Sequence, residues 1–160
     1  MAPFIDHSVK RGNYRLYARE YDGSDPPIVL MHGFPDNLHL YDRLVAFLSP
    51  PRRVIVFDFL GWGLSDKPSG YAYSAANQEA DLDAVINQLE LANAVLVAHD
   101  ASGPPAIDWA RHHLNGWRPL YCSIPTTVRC RRSDHRKRSS FSRHLSSGMW
   151  PGLCRGCSII

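Results

Sequence analysis

Residues 95–103 read VLVAHDASG, a pattern that requires a strand to turn abruptly into a helix. A short apolar run leads to one acid, Asp100, which lies among the small residues Ala98, Ala101 and Ser102. Small flanking side chains permit so sharp a turn, and the turn lifts the central side chain above the edge of a sheet. The N-terminus of the following helix favours negative charge at this point. The segment therefore predicts a strand–turn–helix unit with a carboxylate exposed at the sheet edge.

Two more buried strands precede this turn. Residues 28–37 read IVLMHGFPDN, and residues 54–68 read VIVFDFLGWGLSDKP. Strands predicted at Ile28–Met31, Val54–Phe57 and Ala94–Ala98 alternate with helices along the chain. Their continuously apolar runs are typical of strands covered on both faces. The sequence therefore predicts an α/β fold with a doubly wound, mostly parallel sheet.

A hairpin and three helices complete the predicted pattern. The hairpin covers residues 4–21, and its turn is expected at Arg11-Gly12-Asn13. A first helix, capped by Asp36 or Asn37, has the apolar face Leu40, Leu44, Val45, Phe47 and Leu48. A second, capped by Ser74, has the apolar stripe Leu82, Val85, Ile86 and Leu89. A third covers residues 101–113, with Pro104 and Pro105 in its first turn, where a missing N–H costs little.

The three motifs HGFP, DFLGWGLSDKP and AHDAS occur in the order and at roughly the spacing found in α/β-hydrolases. Together they resemble the branch of that superfamily that contains epoxide hydrolases and haloalkane dehalogenases. The resemblance covers residues 4–113 and implies a hydrolase that acts on a small organic substrate without a cofactor or metal. It also implies that Asp100 is the nucleophile and that the backbone N–H groups of Phe34 and Ala101 form an oxyanion hole.

An Asp at the centre of the turn, in place of the usual Ser, carries chemical information. A serine needs a base to remove its proton, whereas a carboxylate with an ordinary pKa near ~3.9 is already ionised. Attack of a carboxylate on an ester would give a labile anhydride. Attack on the sp³ carbon of an epoxide or of a carbon–halogen bond gives an alkyl ester, which water activated by a His then hydrolyses. Asp100 therefore favours chemistry at saturated carbon.

The neighbouring polar residues are interpreted as structural. His32, before the tight turn at Gly33, is expected to hold its loop by a hydrogen bond. Asp58, at a strand end, is expected to tie down the loop 59–66. His99 is interpreted as a packing residue, and Ser102 as the small residue that the turn needs.

Two departures from the family pattern bear on the substrate. Dehalogenases of this branch usually place Trp directly after the nucleophile and a polar residue after His-Gly, where these side chains bind halide. Ala101 and Phe34 stand there in this chain, so an epoxide is favoured over a haloalkane. In this family the general-base His and its acid partner follow the last strands. Asp134, His135 and His144 receive no such role, so the chain is expected to hold half of a catalytic site.

The chain divides sharply near residue 113. Residues 1–110 contain 8 basic and 14 acidic side chains, a net charge of −6, whereas residues 111–160 contain 10 basic and one acidic, a net charge of +9. All four cysteines lie in the second part. Residues 114–160 are basic and rich in Ser and show no apolar periodicity, so they are expected to be disordered. Residues 114–127 can be back-translated so that a shifted frame reads ERVAALVLLNTYY, the buried strand that such a sheet needs next. The tail is therefore interpreted as out of frame.

Other classes of function remain open at this point. The tail could be a basic arm that binds nucleic acid, but it lacks interleaved aromatic residues and a helical recognition pattern. Cys154 and Cys157 could begin a zinc site, but the spacing of the other cysteines fits no ordinary finger. A non-catalytic hydrolase fragment is a third alternative. The N-terminus shows no secretion signal and no apolar run could span a bilayer, so a cytoplasmic location and no membrane partner are expected.

The shifted strand and the change of charge generate a prediction about the gene. We expect the coding DNA to carry a single-base insertion or deletion near codons 112–114, relative to a frame that continues for roughly a hundred codons or more. Sequencing of this region and of neighbouring strains checks it. A stop codon soon after the shift in the alternative frame would contradict it.

Overall fold

Residues 3–113 are described in the computed structural model of the chain. They form a five-stranded sheet from β1 (Phe4–Arg11), β2 (Tyr14–Tyr21), β3 (Ser24–Met31), β4 (Arg52–Phe57) and β5 (Val95–Ala98). The helices are α1 (Asp42–Leu48), α2 (Ala75–Gln88) and α3 (Gly103–His112), and short 3₁₀ helices cover Leu38–Tyr41 and Asp100–Ser102. The tail from residue 114, with its expected disorder and shifted frame, lies outside the described residues.

The strand order across the sheet is β1-β2-β4-β3-β5. The strand β2 runs antiparallel to both β1 and β4, whereas β3 runs parallel to both β4 and β5. Four of the five strands therefore point in one direction. The carboxyl ends of β3, β4 and β5 consequently meet at one edge of the sheet, where the three sequence motifs begin.

Helices cover both faces of this sheet, as predicted for a doubly wound fold. Alternate residues of the parallel strands point to opposite faces, so Met31 and Phe57 pack on the side of α2 and α3 while Leu30 and Val56 pack on the side of α1. The larger core cluster is centred on the sheet and the second and third helices, with Leu82, Val85, Ile86, Ala106 and Trp109 among its members. The predicted stripe of α2 is thereby confirmed, since Leu89 also packs against this cluster.

The strand β3 begins earlier than predicted. The predicted strand began at Ile28, after Pro26 and Pro27, yet β3 starts at Ser24 and includes both prolines. Pairing with β4 is irregular between Ser24 and Ile28, so the prolines lie where the ladder is already interrupted. Their missing N–H groups therefore cost no strand hydrogen bond.

The predicted apolar face of the first helix is wrong in most positions. Leu40, Leu44 and Phe47 are 42%, 40% and 82% exposed, whereas the buried residues are Leu38, Tyr41 and Val45. The segment opens with a 3₁₀ turn, whose tighter period changes the side chains that face the sheet. The hydroxyl of Tyr41 donates to the carbonyl oxygen of Met31 at 2.7 Å, which fixes which side of the helical segment faces the sheet. Of the two caps considered, Asn37 is the one used: its side chain accepts from the His39 N–H.

Gly63 generates a prediction about folding. Its φ of +48° favours glycine, and a Cβ there would overlap the Asp58 carboxylate. Gly12 has a similar φ of +61° but open space around it. We expect Gly12→Ala to lower the free energy of unfolding by about 1 kcal/mol and Gly63→Ala by about 2 kcal/mol more, because the second also displaces a buried carboxylate. Urea unfolding of both variants measures this, and equal losses would contradict it.

Candidate active site

The turn after β5 holds Asp100 in a strained conformation. Its φ of +51° lies in the left-handed region, which costs a non-glycine residue roughly 1 kcal/mol or more. The Ser102 hydroxyl accepts from the His99 N–H at 2.9 Å and donates towards the carbonyl oxygen of Met31 at 3.0 Å. Ser102 is fully buried, so its hydroxyl braces the turn. The half-buried Asp100 side chain is thereby held at the carboxyl edge of the sheet.

The loop after β3 approaches this carboxylate closely. The Phe34 N–H donates to Oδ2 of Asp100 at 3.2 Å. A Cβ on Gly33 would lie 2.6 Å from the Asp100 Cβ and 2.7 Å from the His99 carbonyl oxygen, so only glycine permits the approach. Ala101 follows Asp100 directly and lines the same cavity as Phe34. The three residues expected to form the nucleophile and oxyanion hole are thus brought together.

His32 is buried and both of its ring nitrogens are occupied. Nε2 accepts from the Phe59 N–H at 3.2 Å, so the proton resides on Nδ1, which donates to the Gly33 carbonyl oxygen at 2.8 Å. Burial lowers the pKa of the imidazole below its ordinary value, which keeps it neutral. In this arrangement the ring joins two loops and has no free nitrogen for proton transfer.

Asp58 is also buried and bridges two loops. Oδ1 accepts from the Leu38 N–H and Oδ2 from the Leu64 N–H, both at 2.8 Å. The Ser65 hydroxyl donates to the Asp58 carbonyl oxygen at 2.6 Å. A single carboxylate therefore holds both the loop after β3 and the Gly-rich loop after β4.

His99 does more than pack. Its Nε2 lies 3.9 Å from Oδ2 of Asp36, at the distance of a loose ion pair when the ring is protonated. The role of His99 was predicted only from its position next to Asp100. No local sequence pattern indicates that Asp36 lies beside the His99 ring.

A cavity of about 330 Å³ opens beside the turn at Asp100, with Gly33 and Ala101 in its lining. Its lining residues are His32, Gly33, Phe34, Trp62, Tyr73, Gln78 and Ala101. Trp62, Tyr73 and Gln78 were not predicted from the sequence. The only sequence signal for them was their position: Trp62 follows the end of β4, and Tyr73 and Gln78 lie just before and in the first turn of α2. The walls are mainly aromatic and apolar, which suits a small organic molecule.

Within residues 3–113 no group of three His, Cys, Asp or Glu side chains could hold a metal ion. Among the helices of the same residues, none has the length and apolar character needed to cross a membrane.

The fold and this edge geometry agree with comparisons to known proteins. The family model for the alpha/beta hydrolase fold matches residues 26–123, more than half of the chain. The chain belongs to the α/β-hydrolase fold family. The resemblance drawn from the sequence motifs is confirmed, as are the α/β fold class and the assignment to a hydrolase family.

Individual relatives fall in the branch expected. The chain is similar to a cis-3-alkyl-4-alkyloxetan-2-one decarboxylase of Shewanella oneidensis, 38% identical over 117 residues that cover 71% of this chain and 36% of the relative. It is also similar to a haloalkane dehalogenase of Sphingobium indicum, 38% identical over 98 residues, 58% of this chain and 32% of the relative. A solved haloalkane dehalogenase from Agrobacterium tumefaciens superposes with a TM-score of 0.68 at 26% identity, covering 75% of this chain and 40% of that one. The chain thus spans about a third of the length of these curated relatives.

A buried carboxylate on α2 supports one wall of the cavity. Asp81 accepts from the Leu60 N–H at 3.2 Å and from Nε of Arg11 at 3.0 Å. Burial raises the pKa of its carboxyl from 3.8 to about 6, although both donors favour the charged form. Asp81 therefore joins the second helix to the Gly-rich loop and to β1.

Asp81 generates a prediction about pH. A carboxyl with a raised pKa in the folded state contributes stability that is complete below its unfolded pKa and is lost as pH rises through 6. We expect the free energy of unfolding of the unmodified chain, relative to Asp81→Asn, to fall by about 3 kcal/mol between roughly pH 4 and pH 7. Urea unfolding across this range measures it. Parallel pH curves for the two proteins would show that the carboxyl does not titrate there.

Proposed function

We propose that Asp100 is the nucleophile of an α/β-hydrolase that attacks a saturated carbon of a small organic substrate and forms an alkyl-enzyme ester. One observation carries the proposal: Asp100 lies at a φ of +51° at the strand end with its Oδ2 accepting from the Phe34 N–H. A strained turn that holds a carboxylate between two residues of a cavity lining, Gly33 and Ala101, is an arrangement that suits nucleophilic catalysis.

The hydrogen bond from the Phe34 N–H gives the two carboxylate oxygens of Asp100 different roles. Oδ2, held by Phe34, becomes the carbonyl oxygen of the ester, while Oδ1 attacks the substrate carbon. The carbon–oxygen bond of the substrate ring breaks, and its electron pair remains on the ring oxygen, which takes a proton from water. When water later attacks the ester carbonyl, negative charge develops on Oδ2. The N–H groups of Phe34 and Ala101 then serve as the oxyanion hole, fixed in the backbone before the charge develops.

A strained oxygen ring, such as an epoxide, is the substrate class that the lining favours. The side chains at the two halide-binding positions are those of Phe34 and Ala101, and neither can donate a hydrogen bond to halide. The similarity to an oxetan-2-one decarboxylase points in the same direction, because that name denotes a four-membered oxygen ring. A carbon–halogen substrate is the second candidate, favoured by the 38% identity to a haloalkane dehalogenase.

The chain as given is proposed to perform only the first step. The family resemblance places the general base after later strands, and His32 has both ring nitrogens occupied. Without a base to activate water, the alkyl ester would persist.

Asp100→Asn tests the proposal. We expect a small alkyl epoxide to add once to the unmodified chain at Asp100, with no sustained product release. The Asp100→Asn variant should remain unlabelled at this position, because an amide is a poor nucleophile. Intact mass and peptide mapping measure both results. Asp108→Asn on α3 is the matched control and should label normally. Labelling at Ser102, or multiple turnover by this chain, would overturn the proposal.

A further inference from the structure

Three side chains of the cavity, those of Gln78, Tyr73 and Trp62, remain available to donate to a polar atom of a substrate. Both nitrogens of His32 are engaged, and the Phe34 N–H is bonded to Asp100. Neither the amide of Gln78 nor the hydroxyl of Tyr73 makes a hydrogen bond within residues 3–113. The indole N–H of Trp62 also makes no hydrogen bond within these residues, so the polar capacity of the lining is concentrated in these three side chains.

Gln78 lies on a helix that is anchored by hydrogen bonds at and near its position. It lies in the first turn of α2, where its N–H donates to the Ser74 carbonyl oxygen at 3.1 Å. Three residues further on, Asp81 ties the same helix to the Leu60 N–H and to Arg11. Gln78 is half-buried and lines the cavity, and the helix that carries it is anchored by these hydrogen bonds.

Tyr73 is oriented mainly by its ring. Gly61 has a φ of +94°, and a Cβ there would overlap the Tyr73 ring, so the ring lies directly on the backbone of the Gly-rich loop. The rings of Trp62 and Tyr71 meet it edge to face at 4.9 and 5.2 Å. These contacts hold the rings of Tyr73 and Trp62 within one aromatic cluster, whereas Gln78 carries its donor on a separate element, α2.

The chemistry of ring opening needs such a donor. Attack by Asp100 pushes an electron pair onto the leaving oxygen, and an alkoxide is a poor leaving group unless a hydrogen bond stabilises it. An amide N–H donates to this oxygen without itself losing a proton, and water supplies the proton that completes the alcohol. A leaving iodide needs far less of this help, because it is a weak base.

We propose that the Gln78 side-chain amide donates a hydrogen bond to the leaving oxygen when Asp100 opens a strained ring. The inference rests on the proposed function of Asp100 and adds a catalytic residue to it. Gln78 supplies from α2 the donor that is missing from the side chains at positions 34 and 101, and it selects oxygen leaving groups over halide.

The test compares two reagents on the same protein. The chain and its variants are treated with 1,2-epoxybutane and, separately, with 1-iodobutane, and the rate of labelling at Asp100 is followed by mass spectrometry. The ratio of the epoxide rate to the iodide rate is the readout, because a variant that is merely less stable loses both rates together. We expect Gln78→Leu and Gln78→Glu each to lower this ratio on the order of 100-fold, as for loss of one oxyanion donor.

Gln88→Leu is the matched control, since Gln88 ends the same helix and bonds to Lys10 outside the cavity. Its ratio should equal that of the unmodified chain. An unchanged ratio in the Gln78 variants, with Asp100 still labelled, would overturn this inference and leave the nucleophile in place. An equal fall in Gln88→Leu, or a fall seen instead in Tyr73→Phe or Trp62→Phe, would also overturn it. If neither reagent labels Asp100 in the unmodified chain, both proposals fail.

Discussion

Three donors from two separate segments converge on the carbonyl oxygen of Met31, the last residue of β3. They are the Tyr41 hydroxyl at 2.7 Å, the His99 N–H at 3.2 Å and the Ser102 hydroxyl at 3.0 Å. Because β3 is the central parallel strand between β4 and β5, this atom connects the first helical segment and the strained turn to the middle of the sheet. The turn at Asp100 is anchored to the sheet through this junction.

The second constraint is the pair of buried acids that govern the Gly-rich loop. Asp58 holds the loop from the sheet edge through the Leu64 N–H, and Asp81 holds it from α2 through the Leu60 N–H. A buried carboxylate is costly unless it accepts several hydrogen bonds. Backbone N–H groups, and for Asp81 also Nε of Arg11, supply them here, and these bonds fix the path of the loop. The hydrogen bonds of these two acids therefore fix the position of the aromatic wall formed by Trp62 and Tyr73.

Much of this arrangement could be predicted from the sequence because local pattern and fold agree. Continuous apolar runs indicated the parallel strands, and Ser74 indicated the start of α2, where its side chain accepts from the Asn77 N–H as expected. The motifs around Gly33, Asp58 and Asp100 lie at strand ends, so their meeting at one edge follows from parallel topology alone.

The features that could not be predicted depend on contacts between residues far apart in the sequence and on which side of a helix faces the sheet. The exposed Leu44 and Phe47 were misplaced because a hydrogen bond from Tyr41 to Met31 shifts the helical period, and no local pattern encodes that contact. Asp81 looks like an ordinary acid of an amphipathic helix, yet its partner Arg11 is 70 residues away. The position of Gln78 in the cavity lining likewise becomes evident only when α2 is placed in the fold. The positions that could be predicted from the sequence are those that shape the turn at Asp100, and the positions that could not are those that line the cavity beside it. This division has a physical cause: the turn is built by adjacent residues under strain, whereas the cavity is built by residues that meet only after the sheet has formed.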